Sequence, residues 1–475
     1  MMSFALLAVE SAAHHGPEVA GWITWLFTFI LALMIAALAF EEKLHAKKSI
    51  IVGTFAGLCL IIETIIAWAT NQKIVPFGKV ELPNGHEIGL PVYIPAIDWE
   101  VITIILGASL FVEVASKSGI FTWLAIKVTK LSGGDPWWLL IYYGLLTVIF
   151  SAVLNNVTAM IIVGSLTGVS LRKLKRPDLL LGFLVTEGLL TNVGGLLTLI
   201  SSVPNIIVGN TAGISFVEFF LKAAPYVVVG TAATLLMAKW RFSIQGLKTE
   251  EDKATAAELV SGFDENENII SQKFFWFSVG ALVCFIAALA GQAYLPWNLD
   301  KLGMGFVALF FAGVVLLAYR HEVNRFYSAI DWDLLAFFAA LFVVINMMEH
   351  ALVLDLIGNG IARMLALSQG VASSLLLVSS AVASSVTDNI PLAAMLAKIL
   401  SGMETPSGSP FWWCVILGAN LGGNLTPIGS ASTVVAMTII HREKIQFSFA
   451  KFVLMAAPFA TMQIVLAIAY VLLFL

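Results

Sequence analysis

Charge is scarce in this chain. Asp, Glu, Lys and Arg make up 12% of its 475 residues, 59% are hydrophobic, and the mean hydropathy is +0.93. A soluble domain averages about 25% charged residues, so an ordinary soluble enzyme is excluded. The net charge is −4 with no basic stripe, which excludes a nucleic-acid binder. Disorder is excluded by the same apolar fraction. Cysteine is equally sparse. Cys59, Cys284 and Cys414 lie far apart inside apolar runs, at no metal or redox spacing, and read as small buried hydrophobes. Every arginine falls in a loop or at an interface. No His-Glu-x-x-His, Gly-x-Ser-x-Gly or paired catalytic aspartate motif occurs, so the expectation is no enzyme and no organic cofactor.

What is abundant is long apolar sequence without the alternation of a barrel strand. The reading is an all-α polytopic membrane protein with about ten full spans. They fall near 21–40, 49–70, 98–116, 179–209, 223–238, 274–292, 303–318, 331–349, 411–437 and 450–474. Two further stretches, 136–171 and 366–402, are interrupted by polar residues near their middles. The first thirteen residues are apolar with no basic region before them, and read as an interfacial segment rather than a cleaved signal.

Lysine and arginine set the orientation. Lys43/Lys47/Lys48, Lys127/Lys130, Arg172/Lys173/Lys175/Arg176, Lys239 to Lys273, Arg320/Arg325 and Arg442/Lys444/Lys451 share one side if 136–171 enters and leaves by the same face. That face is expected to be cytoplasmic, with both termini outside and the chain in a bacterial-type inner membrane. Lys73, Lys79, Lys222, Lys301, Arg363 and Lys398 fall opposite, and Lys117 lies near the edge.

The chain repeats itself. Residues 97–113 (IDWEVITIILGASLFVE) match 330–346 (IDWDLLAFFAALFVVIN), and SAVLNNVTAM at 151–160 matches SSVTDNIPLA at 384–393. NVGGLLTLISSVPNIIV at 192–208 matches NLGGNLTPIGSASTVVA at 420–436. The opening helices of the two copies run in opposite directions, so the copies are inverted. Inverted repeats with broken helices are a transporter architecture whose site lies at the midplane. The expected organisation is 1–96 as N-terminal scaffold with an outer loop and 97–238 as repeat 1 with a hairpin at 136–171. A cytoplasmic linker follows at 239–273, then linking scaffold spans at 274–329. Repeat 2 occupies 330–475, with an outer-entry hairpin at 366–402.

The hairpins turn at Leu154-Asn155-Asn156 and at Thr387-Asp388-Asn389. A polar turn at membrane depth is tolerated where it lines a cavity or is buried in protein. Gly194-Gly195 with Thr198, and Gly422-Gly423 with Thr426-Pro427, interrupt the facing helices and free backbone carbonyls that can coordinate cations. Asn155, Asn156, Thr387, Asp388 and Asn389 are therefore expected to line the tips. Asn192, Thr198, Asn420, Asn424 and Thr426 are expected to face them. Ionisable residues at membrane depth are functional candidates by default. Asp388, Glu113 and Glu187 are read as proton-coupling carboxylates, and Glu63 as a scaffold residue. A Na+ ion is expected at Asp388, Asn389 and Asn156.

These blocks resemble the ion transporter superfamily. It includes NhaD-type sodium/proton antiporters, ArsB-type arsenite permeases, the pigmentation P protein and sodium–dicarboxylate symporters. The resemblance rests on Gly107-Ala108…Val112-Glu113-Val114, Ser151 to Thr158, Asn192 to Gly195, Ser385 to Pro391 and Asn420 to Gly429. It implies elevator-type alternating access and a homodimer. It adds Thr158 to the site, because Asn156-Val157-Thr158 partly matches the Ser-Asn-Thr motif of the symporters. Two functions follow as expectations. The first is Na+(Li+)/H+ antiport. The alternative is Na+- or H+-coupled transport of a small anion or oxyacid such as arsenite or a dicarboxylate.

Overall fold

The computed structural model describes residues 19–70, 74–75, 78–81, 86–91, 93–292 and 302–475. The expected interfacial segment 1–13, and Lys73 and Lys301, lie outside these residues. Among the described residues, nine helices are long and apolar enough to cross a membrane, or ten if one bent pair counts as a span. In that pair Gly303–Ala318 turns through 94° into Arg320–Ala329.

In chain order the elements are α1 (Gly21–Ala39), α2 (Lys48–Thr70), β1 (Gly78–Glu81), β2 (Glu87–Leu90), α3 (Trp99–Lys117) and α4 (Ile120–Leu131). The first hairpin is α5 (Pro136–Val153) and α6 (Asn156–Lys173). A broken helix follows as α7 (Leu180–Gly194) and α8 (Val203–Ala212), then α9 (Phe216–Arg241) and the linker helix α10 (Glu250–Ser261). Next come α11 (Gln272–Gly291), α12 (Gly303–Ala318), α13 (Trp332–His350) and α14 (Val353–Leu365). The second hairpin is α15 (Gln369–Val386) and α16 (Asn389–Gly402). The second broken helix is α17 (Pro410–Gly422) and α18 (Ala431–Arg442), and α19 (Phe449–Phe474) closes the chain.

The duplication extends beyond the matching sequence blocks. α3 and α13, α5 and α15, and α6 and α16 each start 233 residues apart, as do α9 and α19. α9 and α19 are both 26 residues long and carry an in-helix proline at the same position, Pro225 and Pro458. Such a proline removes one backbone hydrogen bond. Each helix is also opened by a serine cap, Ser215 and Ser448, accepting from Glu218 N and Lys451 N. α4 and α14 share a repeat position too. They are 12 and 13 residues long, too short to span, and lie between the opening helix and the hairpin of each repeat.

The chain forms two compact units. One comprises Met1–Trp99, Asp331–Leu376 and Lys398–Thr405, and the other Glu100–Ile330, Leu377–Ala397 and Pro406–Leu475. In the first unit α13 packs along α2. Ser49 of α2 donates to Asp333 of α13, and Lys398 pairs with Glu349 at 3.1 Å. The second unit holds the first hairpin, both broken helices, α9 and α19, and the tip-proximal parts of α15 and α16.

Within the second unit, local chemistry fixes the first hairpin. Asp135 caps α5 by accepting from Trp137 N and Trp138 N at 2.9 and 3.1 Å, and Pro136 occupies the first helical position. The other carboxylate oxygen of Asp135 accepts from Leu247 N of the linker at 2.7 Å. Lys130 pairs with Glu265, and Lys173 donates to Gly262 O at 2.9 Å. The linker is thus tied to the base of the hairpin. Lys130 holds the Glu265 carboxyl below the usual carboxylate range, chiefly through that hydrogen bond.

Candidate functional site

Each hairpin tip meets the break in the helix of its own repeat. In repeat 1, Thr198 Oγ1 in the break donates to Ala152 O at 2.5 Å. In repeat 2, Thr426 Oγ1 donates to Ser385 O at 2.6 Å. Ala152 and Ser385 hold the same repeat position, so one contact is made twice. The first break falls near the middle of 180–212, so the tip meets that broken helix at its midpoint.

The glycine pairs make that approach possible. A methyl group on Gly194 would stand 2.6 Å from Val148 Cα, and one on Gly195 would stand 2.7 Å from Asn156 Oδ1. On Gly422 it would meet Ala381 O at 2.2 Å. Gly194 and Gly422 are required because hairpin backbone occupies the space a side chain needs. None of the four has a positive φ.

The two breaks are locked to each other by asparagine and serine. Asn192 Nδ2 donates to Ser430 Oγ at 2.9 Å and to Asn424 Oδ1 at 2.8 Å. In the mirrored contact, Ser202 Oγ donates to Asn420 Oδ1 at 2.7 Å. Ser202 and Ser430 are repeat equivalents, as are Asn192 and Asn420. Asn420 Nδ2 donates to Asn205 Oδ1 at 2.9 Å and Ile416 O at 2.8 Å. Asn424 Nδ2 donates to Leu189 O at 3.1 Å and to Gln463 Oε1 of α19 at 2.8 Å, and Gln463 Nε2 donates on to Thr234 of α9 at 2.9 Å. All these side chains are buried. Asn192, Asn420 and Asn424, expected to face the tips as ligands, thus have their amide groups engaged by protein.

The tips carry the remaining expected residues. Asn155 caps α6, accepting from Thr158 N at 2.8 Å, so Thr158 contributes its amide there. Asp388, the repeat equivalent of Asn155, caps α16 by accepting from Ile390 N at 3.0 Å. Thr387 Oγ1 donates to Ala383 O at 2.8 Å, and Asn389 opens α16. Asn156 Nδ2 donates to Asn192 Oδ1 at 3.3 Å. Its Oδ1 is buried and has no hydrogen-bond partner among the described residues, and the same holds for Ser151 Oγ one turn before the tip. The counterpart of Ser151, Ser384, is satisfied: it donates to Ala419 O at 2.5 Å. The two tips are built alike and filled differently.

The three carboxylates separate. Asp388 is on a tip. Glu187 on α7 is fully buried; its Oε1 accepts from Thr167 Oγ1 at 2.5 Å and its Oε2 has no partner among the described residues. Glu113 lies one turn from the end of α3 and pairs with Lys117 at 3.2 Å. Glu63 is half-buried on α2 in the first unit. No group of three or more His, Cys, Asp or Glu suited to a metal ion occurs among the described residues.

Sequence reasoning missed Ser151, Ser202, Asn205, Ser430, Ser432, Thr433 and Gln463. Ser432 Oγ donates to Asn192 Oδ1 at 3.2 Å, and Thr433 Oγ1 to Pro427 O at 2.8 Å. The serines lay inside the aligned repeat blocks. Gln463 was visible as the lone amide in an otherwise apolar span, a signal that usually marks interhelical bonding.

Duplicated broken helices, paired hairpins and a buried polar centre are those of a secondary transporter-type membrane protein. The sequence model of the citrate transporter family (CitMHS) matches residues 29–418, and the chain belongs to that family. An uncharacterized transporter of Mycobacterium tuberculosis is 30% identical over 400 residues, which is 83% of this chain and 89% of that protein. The P protein of Mus musculus is 26% identical over 527 residues, 94% of this chain and 62% of that one. Among solved structures, the YdaH transporter of Alcanivorax borkumensis aligns with a TM-score of 0.58 at 15% identity, covering 90% of this chain and 98% of that one. The MtrF efflux pump of Neisseria gonorrhoeae gives a TM-score of 0.54 at 15% identity, covering 90% and 95%. These structures share the fold.

Proposed function

We propose that the chain exchanges a small monovalent cation, Na+ or Li+, for H+ by elevator-type alternating access, as a homodimer whose basic face is cytoplasmic and whose termini are outside. One observation carries the reading: Ser151 Oγ and Asn156 Oδ1, buried beside the Gly194-Gly195 break, have no hydrogen-bond partner among the described residues. A buried acceptor left unmade costs about 1–3 kcal/mol. Oxygens at a broken helix in the membrane are the ligands a sodium ion takes. Asn156, Asp388 and Asn389 supply the cation site, with Ser151 added.

Glu187 supplies the proton site. It is fully buried, and its hydrogen-bond donor is a threonine hydroxyl rather than a cation. Burying an ionised carboxylate without a cation costs several kcal/mol, and a proton removes that cost. Glu113 is assigned to a local ion pair with Lys117.

A second reading, cation-coupled uptake of a small carboxylate, is favoured by helix geometry. α6, α8, α16 and α18 all begin at a tip or a break, and helix N-termini bind anions. The family description, citrate transporter, points the same way.

The experiment is a pH gradient across liposomes holding the purified protein and an internal pH dye. Sodium, lithium and potassium chlorides are added first, then arsenite, succinate and citrate at fixed sodium. Collapse of the gradient by Na+ or Li+ alone is the expected result. Silence to the cations, with flux only when an oxyacid or carboxylate is present, moves the protein to the second reading.

A further inference from the structure

At the basic face, where α7 starts, α9 ends and α19 begins, lies a cavity of about 350 Å³ lined by Leu181, Arg241, Gln446, Phe447, Lys451, Leu454 and Met455. Its two charged groups are both cations, brought there by different helices. Neither Arg241 nor Lys451 forms an ion pair among the described residues, whereas Arg172 and Lys130 each pair with a glutamate. Lys451 also sits in the first turn of α19, at the positive end of the helix dipole, where an anion is the favoured neighbour. Two cations facing one cavity without a counter-ion repel each other until an anion joins them.

The rest of the cavity says which anion. Leu454 is 75% exposed on a 26-residue apolar helix, so it faces lipid, and Trp240 beside Arg241 is 79% exposed at the level where tryptophans anchor helices. The floor is fixed. Phe447 is buried, His441 Nε2 bonds Phe447 O at 2.7 Å, and Phe242 of the α9 end stacks on Phe459 of α19. The cavity therefore has a cationic end at the interface and an apolar wall running into the hydrocarbon.

We propose that this cavity is a binding site for an anionic phospholipid, with its phosphodiester between Arg241 and Lys451 and an acyl chain along Leu454 and Met455. Basic pockets between spans at the interface take such headgroups. The site is separate from the transport centre, and none of its residues is assigned to that centre.

The test uses the full chain in nanodiscs of equal phosphatidylglycerol and phosphatidylcholine, with the lipids that stay on the released protein read by native mass spectrometry. Each basic residue contributes about a factor of five, so wild type should retain phosphatidylglycerol about thirtyfold over phosphatidylcholine. Arg241→Gln with Lys451→Gln should bring that ratio near one, while Lys175→Gln should leave it at the wild-type value. A wild-type ratio near one, or a double variant that keeps the preference, overturns the proposal. A parallel arm measures the melting midpoint with glycerol 3-phosphate or dioleoylphosphatidylglycerol added in detergent. Stabilisation by the lipid alone is expected; equal stabilisation by glycerol 3-phosphate means a soluble phosphate site and refutes the lipid. If the double variant does not fold, each single Gln variant is expected to lower the ratio about fivefold, and an unchanged ratio in both refutes the site.

Discussion

Asn192 offers the sharpest test of how the repeats hold together. Its amide nitrogen serves Asn424 Oδ1 and Ser430 Oγ, and its oxygen accepts from Asn156 and Ser432. In Asn192→Ala, Ser430 keeps its contacts to Ser432 and Thr433. Asn424 Oδ1 and Asn156 Nδ2 lose their hydrogen bonds. Asn424 Oδ1 is left unmade in the buried centre, at about 1–3 kcal/mol, and the part-buried Asn156 Nδ2 adds less. Asn424→Ala alone strands Gln463 Oε1. Adding it to Asn192→Ala removes a group already orphaned, so the double variant should lose less than the two singles together. Coupling across membrane helices averages about 0.6 kcal/mol and reaches about 1.7. The upper part of that range is expected here because both partners are buried. Equilibrium unfolding in dodecylmaltoside–SDS mixed micelles, followed by tryptophan fluorescence, measures all four proteins. Additivity within error, or a single-variant loss under about 1 kcal/mol, would show that the amide chain does not join the repeats.

Asp388→Asn keeps the cap on α16, since asparagine caps as well as aspartate. It should fold and insert yet lose exchange in the liposome assay; normal exchange would remove Asp388 from the mechanism. Glu187→Gln should keep the fold, because Thr167 still has an oxygen to bond, and should flatten the pH profile of transport; an unchanged profile would make the carboxyl structural. Ser151→Ala removes a partnerless hydroxyl, so stability should stay within about 0.5 kcal/mol of wild type while the KM for sodium rises several-fold. A normal KM would sink the assignment of that oxygen as a ligand. The linker should release in acid. Lys130 lowers the Glu265 pKa, so the pairing contributes above the ordinary carboxylate range and is lost as pH falls through the lowered value. Limited proteolysis within 248–268 should be faster at pH 3 than at pH 7, and equal rates would refute it.

The sequence made the membrane architecture legible because long apolar runs and their interruptions are one-dimensional signals. Gly194-Gly195 and Gly422-Gly423 announced the breaks, and Asn155 and Asp388 announced the turns. What could not be read was pairing. Asn192, Asn420 and Asn424 looked like free ligands, but whether an amide meets an ion or another amide depends on the partner it faces in space. Glu113 looked deep when counted from the start of its helix, yet α3 ends at Lys117 and the charge pairs there. α4 and α14 escaped because helices of this length fall below the window that detects spans. That Ser151 Oγ and Asn156 Oδ1 have no partner among the described residues emerged only when their neighbouring donors could be placed.

The Asn192–Ser430 and Asn420–Ser202 bonds have the form of an isologous interface, in which residue i of one copy meets j of the other and j meets i. The centre of this single chain is therefore built like the contact of a symmetric dimer whose two protomers have been joined end to end. Asn192 Nδ2 and Ser202 Oγ of the first half find their hydrogen-bond partners in the second half, so the first half is incomplete without it. A chain cut within the linker at 239–273 should yield a first fragment that is incomplete alone and reassembles with the second when the two are expressed together.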